Sequence, residues 1–295
     1  MAINSIQLHQ TKHPNREARA RYDRLIGIDM QKFELLEYLL QALDPDRVAR
    51  WIKKHHSEGL ALAKTIEERP PLVILAGEVG CGKSALASSI GTVVAEALDR
   101  EVIVLETPSD IRGGGFVGQL SERITAAFNE ARVAVRDGRG ILIIDEADDL
   151  GTSRAQMQAH HEDRAGVNVL IKEIDRLARE QARIAVVLVT NRVRALDPAL
   201  VRRAQLISFV RPNSEARRVL FERLLEGLPH NATEIAKLVR ISDRKPPFSY
   251  SDLVVRGAEK ALLECIRGDK RFSVDALQDA IEKLDPSPLI EDSKP

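Results

Sequence analysis

The sequence predicts an α/β fold, with a parallel β-sheet covered by helices on both faces and a small C-terminal helical domain after it. Three observations predict it. Short apolar runs alternate with segments of helical periodicity through the first two-thirds of the chain, the pattern of strands buried on both faces and joined by crossover helices. After Arg211, Pro212 and Asn213 the strand signals stop and only helical stripes remain. The length of 295 residues exceeds one small core and suits about two domains at roughly 150 residues each.

In chain order, the expected strands are Leu72 to Ala76, Val102 to Leu105, Ile141 to Ile144, Ile184 to Val189 and Leu206 to Val210. Between them Leu120, Ile124, Phe128, Ala131 and Val135 recur at helical spacing, as do Val167, Leu170, Ile174 and Leu177. Beyond Pro212 the apolar stripes are Ala216, Val219, Leu220 and Leu224, then Val254, Ala258, Ala261, Leu262 and Cys265. The expected organisation is an N-terminal extension over 1–20, an α/β domain over 21–212, a helical lid over 213–285 and a polar, frayed tail over 286–295.

Composition weighs against several classes of protein. The 44 basic and 44 acidic residues cancel, so no global field draws the chain to nucleic acid or to an anionic membrane. No apolar stretch approaches the roughly 18 residues of a membrane span, and no basic start leads into an apolar leader. The two cysteines, Cys81 and Cys265, have no metal-ligand spacing, which fits a reducing, cytoplasmic setting.

The chemistry concentrates in three segments, each placed at a strand end. After the first strand comes GEVGCGKS, Gly77 to Ser84, opening a helix at Ala85. Glycines at this spacing let backbone amides turn inward around phosphate oxygens, and the helix N-terminus adds partial positive charge. Gly77, Glu78, Val79, Gly80, Cys81, Gly82, Lys83, Ser84 and Ala85 are therefore the expected ATP-binding residues, with Lys83 reaching the β and γ phosphates and Ser84 ligating Mg2+. Cys81 sits where a helix terminus favours thiolate; the alternative is an inert small residue filling the turn. The run ILIIDE, Ile141 to Glu146, ends a buried strand in two acids, so Asp145 is expected to hold the magnesium and Glu146 to act as general base. The strand IAVVLV ends at Thr190 and Asn191, where Asn191 is placed to orient the attacking water.

GEVGCGKS, LIIDEADDL, LVTN and LDPALVRRA resemble, in order, the phosphate loop and the Walker B, sensor 1 and second-region-of-homology segments of AAA+ ATPases. The resemblance spans about residues 23 to 265. It implies a five-stranded α/β domain with a helical lid, working as a homo-hexameric ring with ATP at each subunit boundary. Arg202 and Arg203 fall where that family places its arginine finger. Tyr22 to Leu40 is similar to the segment flanking the adenine, pointing to Ile26 and Gly27. IRGGGFVGQLSERI looks like the family's substrate-gripping pore loop, with Phe116 and Val117 at its aromatic and aliphatic positions, and Gly151 to Arg164 occupies the place of a second pore loop.

Within the family, IDEADDLGTSRAQMQAHHEDRAGVNVLIKEID followed by LDPALVRRAQLISFVRP is most similar to the pachytene-checkpoint ATPases and their bacterial relatives in anti-phage systems. That resemblance implies ATP hydrolysis coupled to remodelling of a HORMA-domain protein client. Another AAA+ remodelling chaperone is the alternative, and a helicase-loader type of ATPase is a third reading, against which the neutral charge argues. Two departures stand out. Glu78, Val79 and Cys81 replace the family's usual Pro, Pro and Thr, and Ser251, Asp252 and Leu253 occupy the place of the sensor 2 arginine, leaving Arg256 one turn on.

Overall fold

The computed structural model describes residues 6–56, 59–108, 119–150 and 161–290. Their contacts divide the chain into two compact units, neither continuous in sequence: Met1–Asp23, Met30–Ala76 and Ser84–Ser208 form the first, and Arg24–Asp29, Gly77–Lys83 and Phe209–Pro295 the second.

The first unit is built on a sheet of strands β1 (His9–His13), β2 (Leu72–Gly77), β3 (Val102–Glu106), β4 (Gly140–Ile144), β5 (Ile184–Thr190) and β6 (Gln205–Phe209), in the order β1-β3-β4-β5-β2-β6. β3, β4, β5 and β2 pair in parallel. Every residue of β4 and β5 is buried, which is why these strands read as unbroken apolar runs. The expected strands thus form, each within a residue of its expected ends. Helices α1 (Arg16–Asp23), α2 (Asp29–Leu43), α3 (Asp46–His55), α4 (Leu62–Glu67), α5 (Lys83–Leu98), α6 (Gln119–Val135), α7 (His161–Arg179) and α8 (Pro198–Val201) complete the sequence of elements up to β6. The stripes of α6 and α7 bury the residues that the periodicity singled out, Leu120, Ile124, Phe128, Ala131 and Val135 on one and Val167, Leu170, Ile174 and Leu177 on the other.

β1 is a sixth strand beyond the expected five, and it pairs antiparallel with β3, His13 opposite Val102. Its sequence HQTKH buries only His13. An edge strand with one buried side chain has no alternating apolar signal, so periodicity could not find it. His13 compensates with chemistry: its Nδ1 lies 2.8 Å from the Thr92 hydroxyl on α5. Burial, and then the Arg21 charge, lower the pKa of His13 below the usual imidazole range.

The second unit carries α9 (Ser214–Leu224), α10 (Ala232–Ile241), a π-helical stretch at Asp252–Glu259, α11 (Lys260–Arg267) and α12 (Val274–Glu282) around a core of Leu220, Phe221, Leu225, Leu238, Phe248, Leu253, Leu277 and Ile281. Here the expected faces need correction. Val219 and Leu262 lie exposed, while Phe221 and Leu253 are fully buried. In the second of these segments the π-helical stretch bonds i to i+5 rather than i+4, which rotates its buried face away from the phase that a 3.6-residue period assigns; the shift from Val219 to Phe221 falls in the regular helix α9.

Candidate functional site

The parallel strands of the first unit end together, so the residues following them share one edge of the sheet. Ala76 pairs with Thr190, Glu106 with Ile143 and Ile144 with Leu188. A cleft of about 300 Å3 opens at that edge, lined by Arg21, Ser84, Ala85, Ser88, Glu106, Thr107, Ile143 and Asp145. Ser84 and Asp145, the pair expected to hold magnesium, are thus brought into one cleft although they stand 61 positions apart in the sequence. A hydroxyl and a carboxylate are hard oxygen donors of the kind magnesium takes beside water and phosphate oxygens. Among the described residues no group of three or more His, Cys, Asp and Glu could hold a metal by itself.

Glu146 follows in a left-handed conformation, φ 52° and ψ 41°, and its amide donates to the Asp145 carboxylate at 2.8 Å. For a residue with a Cβ such a conformation costs on the order of 1 kcal/mol or more and persists at functional turns. Both acids are exposed. Beside them the end of β5 is latched: the Thr190 hydroxyl donates to Asp148 at 2.8 Å and accepts the Arg192 amide at 2.9 Å. Arg192 pairs with the other Asp148 oxygen at 3.2 Å, so Asn191 is held between two tied neighbours. Asp148 and Arg192 escaped sequence reasoning, and the DD of IDEADDL was the available signal.

Arg202 and Arg203 follow α8, which Asp197 caps by accepting the Ala199 amide at 2.8 Å. The two differ. Arg203 donates to the Ala199 carbonyl at 3.1 Å and lies 3.6 Å from Asp175, whereas the exposed Arg202 side chain makes no ion pair among the described residues.

In the second unit, the loop Gly77–Lys83 has three glycines at positive φ, Gly77 at 137°, Gly80 at 72° and Gly82 at 91°. A Cβ on Gly77 would lie 1.9 Å from the Phe209 carbonyl oxygen, so the loop start admits only glycine. The Lys83 ammonium donates to the Gly77 and Glu78 carbonyls at 2.8 and 2.7 Å, which keeps it inside the loop. Glu78 is occupied: its amide donates to Phe209 O at 3.1 Å, and its carboxylate takes Nε and Nη2 of Arg211 at 3.2 and 3.0 Å. Arg211 also donates to the carbonyls of Pro247, Ser287 and Pro288, so all five of its N–H groups are satisfied in a buried setting. Nothing in the sequence paired Arg211 with Glu78.

Tyr250 joins the expected adenine-flanking residues to this loop. Its hydroxyl donates to Gly27 O at 2.8 Å, and its backbone lies beside the Cys81 thiol, where it favours the thiolate. Ile26 packs against the helical core, and the Ser251 amide donates to Gly80 O at 3.0 Å. Cys81 is buried, and that burial pushes its thiol up to about 11 against the Lys83 and Arg211 charges. The thiolate reading is therefore overturned: loss of water around the sulfur outweighs the local positive charge. Arg256 donates to Asp252 at 2.6 Å. Burial would raise the Asp252 carboxyl, but hydrogen bonds from Ser287, Ser249 and Arg256 hold it down at about 2. Phe116, Val117 and the polar stretch Gly151 to His160 lie outside the described residues.

The family profile described as ATPase family associated with various cellular activities (AAA) matches residues 73–212. Over 293 residues the chain is 38% identical to CD-NTase-associated protein 6 of Escherichia coli strain MS 115-1, covering 95% of this chain and 94% of that relative. The chain belongs to the AAA ATPase family. A second CD-NTase-associated protein 6, from Escherichia coli strain KTE188, is 34% identical to this AAA ATPase over 285 residues and covers 95% of each chain. Among solved structures, a chain of the E. coli MS115-1 HORMA:CdnC:Trip13 complex superposes with a TM-score of 0.90 at 36% identity, over 98% of this chain and 99% of that one. Rhizobiales Trip13 does so with a TM-score of 0.76 at 32% identity, over 95% and 98%. No described helix of this AAA ATPase is long and apolar enough to cross a membrane.

Proposed function

We propose that this AAA ATPase hydrolyses ATP to remodel a HORMA-domain protein, as a cytoplasmic homo-hexamer in a bacterial anti-phage signalling system. The observation that carries the reading is the similarity along the whole chain to a chain of a HORMA:CdnC:Trip13 complex. The cleft holding Ser84 and Asp145 supports the chemistry. In this reading Gly77 to Ala85 bind the phosphates, Ile26 and Gly27 flank the adenine, and Ser84 and Asp145 hold Mg2+, which neutralises charge on the transferring phosphoryl group. Glu146 takes the proton of the attacking water and Asn191 orients that water. Arg202 and Arg203 reach the neighbouring subunit's phosphates, and Phe116 and Val117 grip the client.

The test is a Glu146→Gln variant. The phosphate and magnesium residues remain, so ATP affinity should stay within a few-fold of wild type, while turnover falls by about two orders of magnitude or more with the base gone. In ATP the variant should retain a HORMA-domain protein through purification. Undiminished turnover would overturn the site, and a client-free eluate from ATP-loaded rings would overturn the choice of client.

A further inference from the structure

α5, the helix that opens on the phosphate loop, carries Ser84, Ser88, Thr92 and Glu96 at four-residue intervals, hence along one face. The N-terminal segment is fastened to that face. The Asn15 amide donates to Thr92 Oγ1 at 3.0 Å and the Thr92 hydroxyl donates back to Asn15 O at 3.1 Å. The Asn15 side chain then caps α1, accepting the amides of Glu17 and Ala18 at 3.0 Å each. Further along α1, Ala18 is fully buried and Arg19 pairs with Glu96 at 2.5 Å. A helix held to α5 at its N-terminus and at Arg19 sets the position of its next arginine, and Arg21 lines the cleft with Ser84, Ser88, Glu106 and Asp145.

Arg21 makes no ion pair among the described residues, whereas its neighbour Arg19 pairs with both Asp23 and Glu96. The cleft otherwise presents two carboxylates, Glu106 and Asp145, to whatever enters it. A polyphosphate brought there would meet those acids unless cations offset them, and magnesium held by Ser84 and Asp145 would offset part of that charge. We infer that Arg21 contacts the γ-phosphate of ATP in its own subunit, which makes the strap formed by β1 and α1 part of the nucleotide site and a source of preference for ATP over ADP. The inference rests on the nucleotide reading above and concerns a different residue from the arginines proposed to act between subunits.

The experiment measures ATP and ADP binding in the hydrolysis-deficient Glu146→Gln background, so that ATP stays intact. Arg21→Ala should lose roughly tenfold in ATP affinity, the size of one charge-assisted hydrogen bond to an exposed anion, while ADP affinity stays within about twofold. Arg21→Lys should recover part of the loss, and the ATP effect should shrink as salt is raised. The melting temperature of nucleotide-free Arg21→Ala should match that of the parent, since Arg21 is exposed. Equal losses for ATP and ADP, or none for either, would overturn the role of Arg21. Lys83→Ala is the control for the parent reading: if it binds both nucleotides as tightly as the parent, the nucleotide site itself is misplaced and the inference falls with it.

Discussion

Arg211 and Glu78 form a buried pair whose guanidinium is fully satisfied, while Glu78 Oε1 is left buried without a partner among the described residues. Five donors of the guanidinium meet Glu78 and three carbonyls, with side-chain exposures of 4% for Arg211 and 6% for Glu78. Taking one partner away leaves a charge and several carbonyls without water or a counterpart, which typically costs about 3 to 5 kcal/mol. Arg211→Ala should therefore lower the stability of the folded chain by about that amount in urea unfolding. The double variant Arg211→Ala with Glu78→Ala should cost less than the sum of the two single ones. Additive losses would show that the pair is not coupled. The same pairing accounts for a phosphate loop with glutamate where a proline is usual in the resembling family: the carboxylate serves the fold of the second unit.

At the scale of elements, one hydroxyl, that of Thr92, ties the junction of β1 and α1 to α5. The Thr92 hydroxyl hydrogen goes to Asn15 O, so His13 Nδ1 must carry the proton in its 2.8 Å contact, and His13 Nε2 is left buried with no partner. Removing the hydroxyl strands a ring N–H, a backbone amide and a carbonyl at once, each worth about 1 to 3 kcal/mol when buried unpaired. Thr92→Val, nearly isosteric, should therefore loosen the strap before the rest of the sheet. Hydrogen exchange should show lost protection at His9–His13 while β4 and β5 remain protected. Uniform loss across the sheet would mean that the strap does not open as a local unit.

For the assembled molecule the informative prediction concerns subunit mixtures. If Arg202 and Arg203 act on the neighbour's phosphates as proposed, their loss should be complementable. Rings mixed from an Arg202→Ala, Arg203→Ala chain and a Glu146→Gln chain should regain hydrolysis where an intact base faces intact arginines. Each arginine finger is worth roughly a thousandfold in rate, so even a few intact boundaries stand out above both parents. No recovery at any mixing ratio, with mixed rings verified, would count against action between subunits. Of the two, exposed Arg202 is the freer to reach outward, because Arg203 is drawn back to Ala199 and Asp175.

The sequence by itself determined five of the six strands and the glycine loop, and it pointed to Ser84 and Asp145, which line one cleft, since each is written in local pattern. Strands buried on both faces must be apolar throughout, glycines must stand where amides crowd an anion, and acids at the end of a buried strand need a task. It also determined the stripes of α6 and α7, which keep one helical phase. Only the tertiary structure decided where that locality fails. The polar edge strand β1 exists because β3 offers it backbone partners and Thr92 satisfies His13. The π-helical stretch moved the buried face onto Leu253. Arg211 found Glu78 across 133 residues of sequence, and Arg21 reached the cleft of Ser84 and Asp145 on a helix clamped to α5. Burial raised the Cys81 thiol above its ordinary value, against the pull of the Lys83 and Arg211 charges. In each case the deciding quantity is burial or a long-range partner, and both come into being only when distant segments pack.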